Sequence, residues 1–291
     1  MIYIVCGPTG SGKTEAAIKL ADYFHCPIIN ADAFQIYKDM DIGTAKISKE
    51  DPYYQKHYLL DICSPKETYS VKQYQHDFRE ILDKLSKQYK DIIVCGGTGL
   101  YIRAAIYDYH FEDEELDSGE DLESLSNEEL WNMLLELDKD ATLNIHPNNR
   151  KRVIRAIIIA RSHSEVKSEA IAKQEHKPIY NVRIMMIDPP RDKLYENINK
   201  RVDMMFENGL LDEVKELKEK YKLSLTSRQA IGYKEVLDYL DGQYGLEECK
   251  ELIKKRSRNY AKRQVTFFKH QFETEKYENA QKLVDSVINK I

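Results

Sequence analysis

The sequence predicts an α/β fold: a P-loop NTPase-like parallel-sheet core carrying an inserted helical module and a helical C-terminal part. Three observations predict it. Over about the first hundred residues, short apolar runs alternate with stretches of helical periodicity, the pattern of a parallel sheet with crossover helices. A glycine-rich turn ending in Lys13-Thr14 joins the first apolar run to the first helical stretch. Beyond Pro189-Pro190 the periodicity is almost wholly helical.

In chain order, Ile2–Cys6 is a continuous apolar run and reads as a buried strand. Ala16, Ala17, Leu20, Ala21 and Phe24 recur at helical spacing. Pro27-Ile28-Ile29 and Tyr58-Leu59-Leu60 read as the next strands, and residues 71–89 as a helix with Tyr74, Phe78, Ile81, Leu82 and Leu85 on one stripe. Ile92–Cys95 is a further strand, closed by Gly96-Gly97. Residues 112–129 hold ten acidic side chains and no Lys or Arg, and read as a solvated loop at the start of an insertion. Helices follow near 128–138 and 149–162, then a strand over Val182–Ile187. The remainder predicts helices over 191–208, 210–220, 229–241, 245–272 and 279–290. The expected division is a core of 1–110 and 180–291 and an inserted module of 111–179.

Composition narrows the function classes. The chain has 291 residues, 42% hydrophobic and 32% charged, enough for a sizeable core under a charged surface. No apolar run reaches the ~18 residues of a membrane span, so no membrane association is expected. The N-terminus enters a strand directly, without the pattern of a signal peptide. Five scattered cysteines form no C-x-x-C pair, which argues against a disulfide framework or a cysteine zinc site and fits the cytoplasm. No heptad or long apolar edge calls for a partner copy, so a monomer is expected. The net charge of −5 hides an asymmetry: without the acidic stretch the rest of the chain is net positive, so an anionic partner is not excluded.

Gly7-Pro8-Thr9-Gly10-Ser11-Gly12-Lys13-Thr14 matches G-x-x-x-x-G-K-[ST] in full, with a strand before it and a helix after it. The glycines let successive N–H groups turn inward onto an anion, and the helix N-terminus adds partial positive charge. Lys13 adds a full charge, and the Thr14 hydroxyl can hold Mg²⁺. The motif specifies a di- or triphosphate and leaves the reaction open. Asp32, in Asn30-Ala31-Asp32, follows the second strand, where ligands of open α/β sheets bind. Two roles compete for it, metal ligand and general base, and the polar loop of Gln35, Tyr37, Asp41, Gly43, Thr44 and Lys46 around it favours function over structural capping. Asp61, at the end of the third strand, is a weaker candidate: it could serve as a metal-side acid, but a structural or turn role is favoured.

Two basic segments lack acids. Arg150–Arg155 carries four cations in six residues, and Lys254–His270 carries seven, with Tyr260, Phe267 and Phe268 interleaved. Arg258, Lys262 and Lys269 share a helical face while Phe268 packs inward. Such runs suit phosphate-backbone contacts to RNA, and the aromatics suit a core role better than base stacking.

Taken together these residues resemble the tRNA dimethylallyltransferases, which prenylate the adenosine beside the anticodon (position 37). Gly7–Thr14 is similar to the family's G-P-T-A-S-G-K-T, with Gly10 for Ala. Residues 32–47 follow its D-S-x-Q-x-Y-x-x-x-D-I-G-T-A-K-P, with Ala33 for Ser and Ile47 for Pro; Ala33 removes one hydroxyl near the target base. Gly96–Tyr101 matches G-G-T-G-L-Y. Ile145–Asn149, Ile198–Asp203, Gln229–Lys234 and Arg258–Gln264 also look like family segments.

The resemblance implies transfer of a dimethylallyl group from dimethylallyl diphosphate to N6 of adenosine 37, in tRNAs reading codons that begin with U. In that reading Gly7–Thr14 grips the diphosphate, Asp32 is the general base, and Lys13, Arg201 and Mg²⁺ on Thr14 stabilise the leaving group. Thr9, Gln35 and Thr98 match substrate contacts. The anticodon stem-loop of the tRNA would meet Asp32, Ala33, Phe34, Gln35 and Thr98, and further Lys151, Arg152, Arg155, Arg228, Gln229, Gly232, Tyr233, Lys234, Arg258, Lys262 and Arg263. The acidic stretch is expected to point away from bound tRNA. Three alternatives use the same phosphate loop: a small-molecule kinase, a prenyl transferase acting on AMP or ADP, and an NTP-driven RNA switch. The basic helical half distinguishes the tRNA enzyme from the first two.

Overall fold

The computed structural model describes residues 1–109, 111, 120–162 and 177–289. The chain divides into two compact units, Met1–Tyr107 with Pro178–Ile291, and Asp108–Lys177.

The first unit is built on a six-stranded, all-parallel sheet of order β3-β2-β4-β1-β5-β6. Its strands are β1 (Ile2–Cys6), β2 (Ile28–Asn30), β3 (His57–Tyr58), β4 (Ile92–Gly96), β5 (Val182–Ile187) and β6 (Glu275–Tyr277). β1 is central because every one of its side chains is apolar and can be covered on both faces. Ile2, Ile4 and Cys6 face α2 (Val71–Leu85) and α3 (Gly99–Ile106). Tyr3 and Val5 face α1 (Lys13–Phe24) and the last helix of the chain (Ala280–Ile288). Each such fully buried side chain is worth about 1.5–3 kcal/mol relative to exposure. α2 starts where Ser70 and Gln73 form a reciprocal capping box, satisfying two otherwise orphaned N–H groups.

The second unit contains α4 (Asn127–Leu137) and α5 (Arg150–Ser162). They pack through Leu130, Leu134, Val153, Ala156 and Ile157. The loop expected over the acidic stretch falls outside the described residues as far as 119; from Glu120 the chain forms a short 3₁₀ turn and then the Ser126-capped start of α4. Arg150 of the basic segment donates to the carbonyls of Leu122, Glu123 and Leu125, tying α5 to that turn.

The C-terminal helices are α6 (Arg191–Glu207), α7 (Leu210–Lys220), α8 (Tyr233–Leu240), the 26-residue α9 (Leu246–Gln271) and α10 (Ala280–Ile288). α6–α9 enclose a separate core under the 36–40 loop, with Ile36, Met40, Val202, Leu210, Tyr233 and Ile253 buried together. Among the described residues no helix is long and apolar enough to cross a membrane.

Four elements differ from expectation. β3 ends at Tyr58 because Leu59 and Asp61 both take positive φ, turning the chain out of the sheet. The helix expected over 229–241 is a 3₁₀ turn at Ser227–Gln229 followed by α8, separated at Gly232, φ 97°. β6 and α3 are additions.

Candidate active site

β2, β4 and β1 are neighbours in the sheet, so the segments leaving their carboxyl ends lie side by side: Asp32 after β2, Gly97-Thr98 after β4, and Gly7–Thr14 after β1. In the last of these, Gly10 and Gly12 hold φ of 77° and 88°, a conformation side chains with a Cβ rarely adopt. The Ser11 hydroxyl is buried and has no hydrogen-bond partner among the described residues, as befits a cradle built around an anion. Lys13 Nζ is 3.3 Å from the Pro8 carbonyl and curls back over the loop.

Lys13, Thr14, Asp32, Gln35 and Arg201 line one cavity, joined by His57 and Cys95. A second cavity of about 70 Å³ shares Thr9, Asp32 and Arg201 with the first and continues along apolar Phe34, Ile198, Val202, Met205 and Ile253. The site is therefore charged at one end and apolar at the other. Burial pulls the Lys13 ammonium below its ordinary value, with Asp32 opposing the shift. Burial likewise lowers Arg201, again opposed by Asp32. The carboxylate is thus the counter-charge of both cations. Phe34 N–H donates to Asp32 Oδ1 at 3.0 Å, and Ala33 N–H to Thr98 Oγ1 at 3.0 Å, so the Asp32 turn is fixed to the end of β4. Gln35 Nε2 and an Arg201 Nη both donate to the Thr44 carbonyl, at 3.2 and 3.0 Å.

The structure also brings in two residues of the Arg258–Gln264 segment to which the sequence assigned no role in the site. Gln264 of α9 accepts from Thr9 N–H and donates to the Gly97 carbonyl, both at 2.9 Å, clamping the phosphate loop to the end of β4. Tyr260 lines the apolar cavity beside Asp32, with Thr98 and Gln264 at its hydroxyl, whereas Phe268 is core as expected. Burial, and then Asp32, push the Tyr260 hydroxyl up to about 12. Asp61 is structural: Lys46 and the Tyr54 hydroxyl hold it at 2.6 and 2.5 Å. Among the described residues no group of three His, Cys, Asp or Glu could hold a metal. Thr14 lines the first cavity, and its hydroxyl is an oxygen donor suited to Mg²⁺, which keeps several waters and takes further ligands from substrate phosphates.

The profile of the IPP transferase family matches residues 35–271. The tRNA dimethylallyltransferase of Anoxybacillus flavithermus is 42% identical over 272 residues, covering 93% of this chain and 88% of that protein. That of Clostridioides difficile is 40% identical over 302 residues, covering 99% and 96%. The crystal structure of the tRNA delta(2)-isopentenylpyrophosphate transferase from Staphylococcus epidermidis superposes with a TM-score of 0.72 at 35% identity, covering 99% of this chain and 97% of that one. A eukaryotic dimethylallyltransferase acting on tRNA superposes at 0.84 with 28% identity, covering 100% and 76%.

The chain belongs to the IPP transferase family. It is an enzyme, a transferase, on a P-loop-like fold.

The remaining expected contacts of the transferase fall on several surfaces. Lys151, Arg152 and Arg155 lie on the exposed face of α5, opposite buried Val153 and Ala156. Arg228 and Gln229 are exposed on the 3₁₀ turn before α8, and Lys234 is half-buried. Lys262 and Arg263 are exposed on α9, with Arg263 over the Tyr260 ring, while Arg258 is half-buried and donates to Asn199 Oδ1 at 2.6 Å. Two residues expected at the RNA surface are corrected. Tyr233 is 0% exposed and gives its hydroxyl to Glu213 at 2.6 Å, and Gly232 is buried as the N-cap of α8. Neither can touch RNA directly in this arrangement.

Proposed function

We propose that the transferase moves a dimethylallyl group from dimethylallyl diphosphate to N6 of adenosine 37, beside the anticodon of tRNAs that read codons beginning with U, and releases diphosphate. The meeting of Lys13, Asp32 and Arg201 on one cavity carries this reading: two cations where a leaving group gains charge, and a carboxylate where an amine loses a proton. The N6 lone pair attacks C1 of the allyl group, the C1–O bond breaks, and its electron pair leaves with the diphosphate. An adenine amine is a poor nucleophile, so Asp32 accepts its proton as the bond forms. The amides of Gly7–Thr14, the N-terminus of α1, Lys13 and Arg201 stabilise the growing charge. When bound on Thr14, Mg²⁺ would supply further positive charge to the diphosphate.

The apolar wall of Phe34, Val202, Met205 and Ile253 suits the five-carbon group and keeps water from it. The base must leave its stack to reach Asp32, meeting Ala33, Phe34, Gln35 and Thr98 as it enters. Lys151, Arg152, Arg155, Arg228, Gln229, Lys234, Arg258, Lys262 and Arg263 would hold the anticodon stem-loop through its phosphates. We assign the activity to a cytoplasmic monomer. Incubation with radiolabelled dimethylallyl diphosphate, Mg²⁺ and unmodified tRNA carrying adenosines 36 and 37 should place label in the tRNA. Label on added AMP instead, or ATP turnover without transfer, would overturn the proposal.

A further inference from the structure

Arg201 reaches the site from α6, and its hydrogen-bond acceptor is a backbone carbonyl, that of Thr44. A guanidinium held by a loop is only as well placed as the loop. The segment from Asp41 to Thr44 has little regular structure to hold it, yet one carboxylate takes its three successive N–H groups. Glu213 Oε2 accepts from Asp41 N–H at 3.0 Å and Ile42 N–H at 2.7 Å, and Oε1 accepts from Gly43 N–H at 3.2 Å. The Tyr233 hydroxyl donates to Oε1 at 2.6 Å and completes the set. Hydrogen bonds to an ionised acceptor are roughly twice as strong as neutral ones. The hydroxyl end of the Tyr233 ring also lies against Gly43: a Cβ there would stand 2.4 Å from a ring carbon, so only glycine lets the clamp close. Glu213 itself sits in the first turn of α7, where the helix N-terminus favours a carboxylate.

We infer that Glu213, braced by Tyr233, is a positioning residue for Arg201, holding the 41–44 loop so that the Thr44 carbonyl sets the guanidinium beside the leaving group. The same carbonyl receives Gln35 Nε2, so the loop joins the leaving-group side of the site to the side assigned to the base. The inference gives the buried Tyr233 its function: it acts on the reaction through Glu213 and the loop. It rests on the role proposed above for Arg201.

The test is a double-mutant cycle on the full-length enzyme, read as the single-turnover rate of labelled allyl transfer to tRNA. Glu213→Gln keeps the shape but turns an amide NH₂ toward the loop's own N–H groups. It should slow transfer by about 10- to 100-fold, the cost of misplacing a catalytic group by about an ångström. The KM for tRNA should stay within about twofold. In an Arg201→Ala background the same substitution should cost less than about threefold, because the group it positions is gone. An equal cost in both backgrounds would mean that Glu213 only supports the fold, and overturns the inference. Tyr233→Phe, which removes one donor, runs the same cycle if Glu213→Gln does not fold, with a smaller loss that also vanishes without Arg201. A slowed Arg201→Ala beside an unslowed Glu213→Gln overturns this inference alone. An unslowed Arg201→Ala overturns it together with the role assigned to Arg201.

Discussion

Lys46 buries its ammonium group almost completely, at 1% side-chain exposure, and answers that cost with three acceptors: Asp41 and Asp61 at 2.6 Å each and the Tyr37 carbonyl at 2.7 Å. Removing the cation leaves two carboxylates facing each other in a partly buried place. Lys46→Met should therefore lower unfolding stability by about 3–5 kcal/mol, the usual loss when a buried pair is broken, shown as a shifted urea midpoint. An unchanged midpoint would contradict it. His57 shows the opposite balance. Burial lowers its imidazole below the ordinary 6.5, outweighing the Tyr53 carbonyl that receives Nδ1 at 2.8 Å. Below 6.5 the unfolded chain takes up a proton that the folded imidazole resists, so this group's contribution is whole above that pH and is lost as pH falls below it. Unfolding followed from pH 7 to pH 5 should show wild type losing more stability than His57→Asn; parallel curves would refute the assignment.

At the scale of elements, α9 does two things at once. Cys249, Ile253, Ala261, Gln264 and Phe268 face inward, and Gln264 spends its amide on the phosphate loop and the end of β4. Gln264→Leu keeps the burial and removes both bonds, so it should raise the KM for the diphosphate donor about tenfold while leaving that for tRNA unchanged. Equal rises in both would place Gln264 outside donor binding. This helix also marks where sequence reading runs out. The phosphate loop and Asp32 are contiguous motifs at strand ends and are legible as such. Gln264, Tyr260 and Glu213 reach the site from helices distant in sequence, and only the fold brings them there. Local signals explain the other differences. α3 begins at Gly99 with no side-chain cap, because the Thr98 hydroxyl oxygen accepts from Ala33 N–H, so no start signal marks it. β6 is Glu-Lys-Tyr, charged and three residues long; it is a strand because it pairs with Met185–Ile187, with Arg183 2.6 Å from Glu275. Tyr233 sits in a polar-looking segment whose burial depends on Gly43 and Glu213, neither of them near it in sequence.

At the scale of the whole molecule, the first unit is made of two stretches of chain that join each other at the point where the second unit is inserted. Tyr107 and Pro178 pair as an antiparallel bridge, and Ile179 N–H donates to the Ile106 carbonyl at 2.9 Å, so the two ends of the first unit meet where the second is inserted. Replacing Asp108–Lys177 with a short Gly-Ser linker should leave a core that unfolds cooperatively, seen by circular dichroism, and should weaken tRNA binding by at least about tenfold through loss of Lys151, Arg152 and Arg155. Undiminished binding would remove that unit from the tRNA interface. The proposed transfer depends on Asp32 taking the amine proton while the cations around it hold the leaving group. The most direct measurement is single-turnover transfer by Asp32→Asn set beside its affinity for tRNA. A fall in rate of about 10²–10⁴-fold, with affinity held within about twofold, is the predicted result. A rate that survives, or an affinity that falls as far as the rate, would contradict it.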